Sequence, residues 1–69
     1  MKIGHITIVN RGVERIVEPI EKTRGDAWDE ARQRQKRLRE AEEKYRKQIS
    51  DGAKLRLYNR KGLLITEVD

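Results

Sequence analysis

Cysteine is absent from this 69-residue chain. That single absence excludes disulfides, thiolate zinc sites and cysteine nucleophiles together, and it suits a reducing compartment. Phenylalanine is absent too, and aromatics are only 4% of residues against 42% charged ones. The apolar supply therefore supports one small core and no second domain, so the chain reads as a single domain over 1–69. Long hydrophobic runs are also missing. No segment is long enough to span a bilayer. The stretch Ile3 to Val9 is too short, and too interrupted by Gly4, His5 and Thr7, to serve as a signal peptide. A soluble cytoplasmic protein without membrane contact is the expectation.

The scarcity extends to reactive groups. There is one histidine, His5, and one serine, Ser50, so a nucleophile triad would have to be built from those two. His5 falls within a strand pattern, and Ser50 sits where a helix should end and a polar residue is expected anyway. Asp26, Asp29 and Glu30 cluster, but helix capping and the helix dipole account for all three. The five glycines are isolated and form no phosphate loop. Gly4, inside a strand, marks a bulge or close packing under an aromatic ring. These features predict no enzyme, no cofactor, no metal and no small-molecule substrate.

What is present is a repeated local pattern. Ile6-Thr7-Ile8-Val9-Asn10-Arg11-Gly12-Val13 and Leu55-Arg56-Leu57-Tyr58-Asn59-Arg60-Lys61-Gly62-Leu63 each read as an apolar strand, an Asn-Arg turn, a glycine and a returning strand. The first predicts a hairpin over 3–18 with a three-residue Asn10-Arg11-Gly12 loop, its return strand ending near Pro19 or lying at a sheet edge. The second predicts a hairpin over 53–68, its turn a type I turn closed by a Gly62 bulge.

Between them, no glycine or proline interrupts the residues after Asp26 until Ser50-Asp51-Gly52 supplies a stop, which predicts one helix over 26–50. The fold class that follows is α+β, ββαββ, with an antiparallel sheet and one long charged helix packed on a face. At roughly 37 Å the helix would outrun strands of about 20 Å. Trp28, Ala31, Leu38, Tyr45 and Ile49 form its narrow apolar stripe, interrupted by Gln35 and Glu42. The strands read as apolar on both sides, with Ile6 and Ile8 opposed to Ile3 and Val9. One helix covers one face, so an apolar patch should remain on the other, and a homodimer or a partner protein would cover it.

The charge is localised. Arg32, Arg34, Lys36, Arg37 and Arg39 occur with no acid among them, and the remaining basic and acidic residues balance, so the whole net charge of +5 sits in about two turns of helix. Arg32, Lys36 and Arg39 recur at i, i+4 and i+7 away from the apolar stripe, with Arg37 beside them. The hairpin tips add Arg11 at one and Arg60 and Lys61 at the other. Cations in this arrangement suit successive phosphates or an acidic protein or nucleoprotein surface. Glu30–Arg34, Glu40–Lys44, Glu42–Arg46 and Glu43–Lys47 are also the i,i+4 pairs of a well-solvated helix.

No zinc-finger spacing, helix-turn-helix pair or stacking platform accompanies the patch, so binding would be to phosphates and strongly salt-dependent. About five contacts would give a log–log salt slope near −4 to −5. The functional expectation is a small regulatory protein that binds nucleic acid or a nucleoprotein. The alternative is a protein-binding inhibitor or adaptor of bacteriophage or mobile-element type, anti-CRISPR-like in size and economy, acting through an exposed sheet face or edge strand.

Overall fold

The computed structural model describes residues 2–22 and 30–69. The proposed cap at Asp26 and Asp29, and the stripe residue Trp28, lie outside the described residues. The described elements run β1 (Lys2–Asn10), β2 (Val13–Glu21), α1 (Glu30–Lys44), α2 (Arg46–Ser50), β3 (Lys54–Asn59) and β4 (Leu64–Val68). The four strands form one antiparallel sheet in the order β2-β1-β3-β4, with the helical layer on one face. This is the expected ββαββ arrangement. Among the described residues no helix is long and apolar enough to cross a membrane.

The turns follow from local chemistry. Ser50-Asp51-Gly52 ends the helical layer as expected. Gly52 takes φ +102 and donates to Ile49 O at 3.0 Å, while Ala53 donates to Gln48 O at 3.0 Å. That double closure is a Schellman motif with glycine at C′. In the second hairpin Gly62 (φ 81) donates to Asn59 O, and Asn59 Oδ1 accepts from the N–H groups of Lys61 and Leu63. This is the type I turn with its glycine bulge, reinforced by an Asn side chain that imitates backbone.

The first hairpin differs from expectation. Asn10 pairs directly with Val13, so the loop has two residues, not three. Arg11 and Gly12 both take positive φ, 52 and 79, the mark of a type I′ turn, which matches the right-handed twist of the strands. Arg11 therefore occupies a conformation that favours Gly or Asn. β2 also continues through Pro19 to Glu21, as an edge strand whose missing N–H removes no ladder bond.

Three bulges set which side chains face the helices. One between Lys2 and Gly4 turns Ile3 inward, where it is fully buried. One between Ile6 and Thr7 makes Val17 the extra residue on β2, and one between Leu57 and Tyr58 makes Ile65 the extra residue on β4. The two central strands put Ile6 opposite Leu57 and Ile8 opposite Leu55. With Ile3, Ile20, Leu38, Ala41 and Ala53 these form the core, and Val17, Tyr45, Ile49 and Val68 pack around it.

The helical layer is not one uninterrupted helix. It breaks at Tyr45 (φ −106, ψ 18), although Tyr45 N–H still bonds Ala41 O at 2.8 Å and Ile49 N–H bonds Tyr45 O at 3.0 Å. Nor does it outrun the sheet over the described residues. β1 and β2 are nine residues each, about 30 Å. The stripe facing the sheet also departs from the expected one: Ala31 is exposed, Gln33 is buried and Arg34 is half-buried. Arg34 lies across Gly4 and donates from Nη1 to Ile3 O at 3.1 Å. Gly4 thus marks close packing next to a bulge, as expected, but the group above it is an arginine side chain and not an aromatic ring.

The open sheet face is not the expected apolar patch. The bulge at Ile3 moves a large aliphatic inward, and the remaining outward positions on the central strands are largely polar: His5, Thr7, Arg56 and Tyr58, with Lys54 and Val9 beyond them. Among the described residues, large exposed aliphatics are confined to the outer strands and their turns, at Val13, Ile16, Leu63, Leu64 and Ile65.

A β-carbon at residue 4 would press on Tyr58 O and lie 3.0 Å from Arg34 Cδ. The first neighbour is central-strand backbone and cannot yield. Gly4→Ala should lower stability by about 1–3 kcal/mol, read from equilibrium urea unfolding. Arg11→Asn should do the reverse, raising stability by about 1 kcal/mol because Asn tolerates the left-handed region. An unchanged urea midpoint would mean that the turn is not strained by Arg11.

Candidate functional site

α1 carries the basic residues on the side opposite its buried stripe. Arg34, Leu38 and Ala41 face the sheet, so positions 32, 36 and 39 point away from it by helical geometry, and Arg32, Lys36 and Arg39 are all exposed. They span about 10 Å of helix axis at 1.5 Å per residue. Arg46, in α2, continues the same line after one acidic step at Glu43. A groove along the N-terminal half of α1 is walled by Arg32, Lys36, Arg37 and Glu40 and reaches Pro19 and Glu21 at the end of β2.

The remaining candidates are treated differently by the fold. Arg37 leans toward the sheet edge, where it pairs with Glu18 at 3.3 Å and Glu40 at 3.6 Å. Glu18 also accepts from Lys44 at 2.9 Å. It can do so because the Val17 bulge sets Glu18 opposite Ile6, on the helix side. Arg60 pairs with Glu30 at 2.7 Å, at the start of α1. By contrast, Lys36, Arg39, Arg11 and Lys61 form no side-chain ion pair among the described residues.

The antiparallel pairing of β1 with β3 also sends the two hairpin turns to opposite ends of the sheet: Val9 lies opposite Lys54, and Gly4 opposite Asn59. Arg11 and the Arg60–Lys61 pair therefore do not converge. The candidates separate into a helix line (Arg32, Lys36, Arg39), one cation tied to the sheet edge (Arg37) and two distant tips.

The open face of the sheet holds a second polar constellation, which the sequence pattern does not reveal. Glu14 on β2 accepts from Thr7 Oγ1 at 2.6 Å and from the Tyr58 hydroxyl at 2.5 Å, and it pairs with Arg56 at 3.5 Å. Arg56 donates from Nε to Glu67 at 2.8 Å, and Lys54 reaches Glu67 and Asp69 at 3.7 and 3.8 Å. The chain of contacts crosses all four strands. Beside it, His5 stacks on Tyr58 with ring centroids 4.8 Å apart and planes 19° apart.

Burial, then the neighbouring Lys2, pushes the His5 pKa below its ordinary 6.5, so the ring is neutral at pH 7. His5 and Ser50 lie on different elements, β1 and α2. Among the described residues no cluster of three His, Cys, Asp or Glu side chains could hold a metal ion. With Glu14, Glu67 and Asp69 against Lys54 and Arg56, this network on the open face carries no excess positive charge for a polyanion. The outward line of α1 does carry such an excess.

No family model matches the chain, and comparison with curated proteins and with solved structures returns no significant match.

The Glu14 carboxyl is held below its ordinary 4.5, first by the Thr7 hydrogen bond, then by the Tyr58 hydroxyl, with Arg56 adding less. A depressed carboxylate contributes stability that is fully present above the unfolded value of about 4.5 and is lost as pH falls through the lower folded value. Glu14→Gln keeps an acceptor but cannot ionise. The variant should show a shallower acid limb when the urea midpoint is followed from neutral pH to below pH 4. An identical limb would show that the cross-strand network does not couple to folding.

Proposed function

We propose that this is a small, non-enzymatic cytoplasmic regulatory protein that binds nucleic acid or a nucleoprotein along the outward line of α1. The observation that carries this reading is the distribution of paired and unpaired cations. Acidic side chains are matched to Arg37, Lys44, Lys54, Arg56 and Arg60. Lys36 and Arg39 stay exposed and form no ion pair among the described residues. Lys36 and Arg39 therefore add unneutralised positive charge to the outward side of α1. One DNA strand presents about one charge per 3.4 Å of axis, so a cationic line of about 10 Å runs alongside about four phosphates. An exposed aliphatic or aromatic group to read bases is lacking among the described residues of that line, which favours backbone contacts and sequence-tolerant binding.

The alternative, a protein-binding inhibitor or adaptor, draws support from the exposed Leu63, Leu64 and Ile65 at the β4 side of the sheet. The open sheet face itself offers less, because its polar groups are already bonded to one another.

Charge reversal separates the two. Lys36→Glu with Arg39→Glu should leave stability within about 0.5 kcal/mol, since both sites are exposed, while weakening binding to labelled duplex DNA and RNA by at least tenfold in fluorescence anisotropy. Its log–log salt slope should also become shallower by about 2, one for each phosphate that is no longer neutralised. Unchanged affinity and slope would reject the helix as the binding surface.

A further inference from the structure

The basic line is on α1; a separate surface lies at the other side of the sheet. β4 is the outermost strand, and the helical layer lies mainly over β1, β2 and β3. Leu63, Leu64 and Ile65, three consecutive large aliphatic residues, stand at β4 with 62%, 52% and 41% exposure. The two sheet edges are not equivalent. Both carry a bulge, at Val17 and at Ile65, but β2 also carries Pro19, which has no N–H to offer, and its Glu18 is tied back to Arg37 and Lys44; these are features that blunt an edge. β4 has no proline and holds its aliphatic side chains in water.

The charges along β4 say what it fits. Lys61 precedes the strand without an ion pair among the described residues, while Glu67 and Asp69 close it. With Glu14 these two share only Lys54 and Arg56 among those residues, so that end keeps an excess negative charge, and Asp69, 3.8 Å from Lys54, has 69% of its side chain exposed. A strand basic at its start and acidic at its end matches an antiparallel copy of itself, base against acid at both ends. We propose that this edge docks a second copy of the chain, β4 alongside β4 about a two-fold axis normal to the sheet. The bulge at Ile65 interrupts the regular edge, so packing of Leu63, Leu64 and Ile65 carries the contact, and no long ladder forms. With three aliphatic side chains per copy, the contact lies below the roughly 1,200 Å² at which stable interfaces begin. The dimer is therefore weak and concentration-dependent. Its two-fold axis keeps both helical layers, and so both basic lines, on the same side of the joined sheets.

Sedimentation equilibrium on the full chain at rising concentration tests this. The expected result is a weight-average mass that climbs toward twice the monomer value. Leu64→Lys should abolish the climb, Lys61→Glu should suppress it, and Lys61→Glu combined with Asp69→Lys should restore it. Far-ultraviolet circular dichroism checks that each variant is folded, and all of these positions are exposed. A chain that stays monomeric at every concentration overturns the proposal. So does a mass increase that survives Leu64→Lys, or a charge swap that fails to restore it. A monomeric chain whose β4 edge captures a different protein would overturn it too, and would favour the adaptor reading.

Discussion

The pairing of β1 with β3 is the contact on which the rest of the structure depends. Each hairpin closes locally, but a two-stranded hairpin is at best marginal in water. Only when Ile6 meets Leu57 and Ile8 meets Leu55 does a four-stranded surface exist that Leu38 and Ala41 can cover. The helix in turn has too few large aliphatic residues to hold itself. Its attachment depends on that surface and on polar ties at its margins: Arg34 to Ile3 O over Gly4, Arg37 and Lys44 to Glu18, and Glu30 to Arg60. A core this small leaves little excess stability, so the close approach at Gly4 and the polar ties matter more than they would in a larger domain.

The same ties sort the charges. Cations at the side of α1 toward β2, and Arg60 in the hairpin meeting its start, are matched by acids of the sheet or of the helix itself. Lys36 and Arg39, on the outward side, form no ion pair among the described residues. The fold thus converts a sequence that is highly charged throughout into a body with a nearly balanced open sheet face and a positive helical side. That separation, more than the net charge alone, is what supports the polyanion partner proposed for the helix.

Much of this is legible in the residues. Asn59 to Gly62 and Ser50-Asp51-Gly52 encode their turns through side-chain bonds and positive φ, which need no knowledge of the rest of the fold. Pro19 correctly marks an edge. What escapes is everything governed by register. A bulge reverses the alternation of side chains beyond it, and those at Ile3, Val17 and Ile65 have no clear signature in composition. Simple alternation accordingly assigns Ile3 to the wrong face and predicts an apolar open face. The link from Thr7 and Tyr58 to Glu14 spans three strands and cannot be read before their order is known. Arg34 reads as one more cation of the basic run; only the space above Gly4 shows it to be a packing residue. The outward line of Arg32, Lys36 and Arg39 is legible, because helical periodicity alone defines it, whereas the separation of Arg11 from Arg60 and Lys61 requires the β1–β3 pairing.

The strand order β2-β1-β3-β4 is symmetric about its middle: a half-turn around an axis through the β1–β3 seam exchanges one hairpin with the other. The helical layer cannot share that symmetry. A single rod has a direction, and it leaves β2 and returns to β3, so it leans over one hairpin more than the other. Whatever the origin of the two hairpins, similar strands in equivalent places meet unequal surroundings. β2 gains Glu18 as a tether to the helices, while β4, its geometric counterpart, remains largely uncovered. The molecule's one-sidedness therefore arises from how the hairpins are joined, and it would persist even if their sequences were identical.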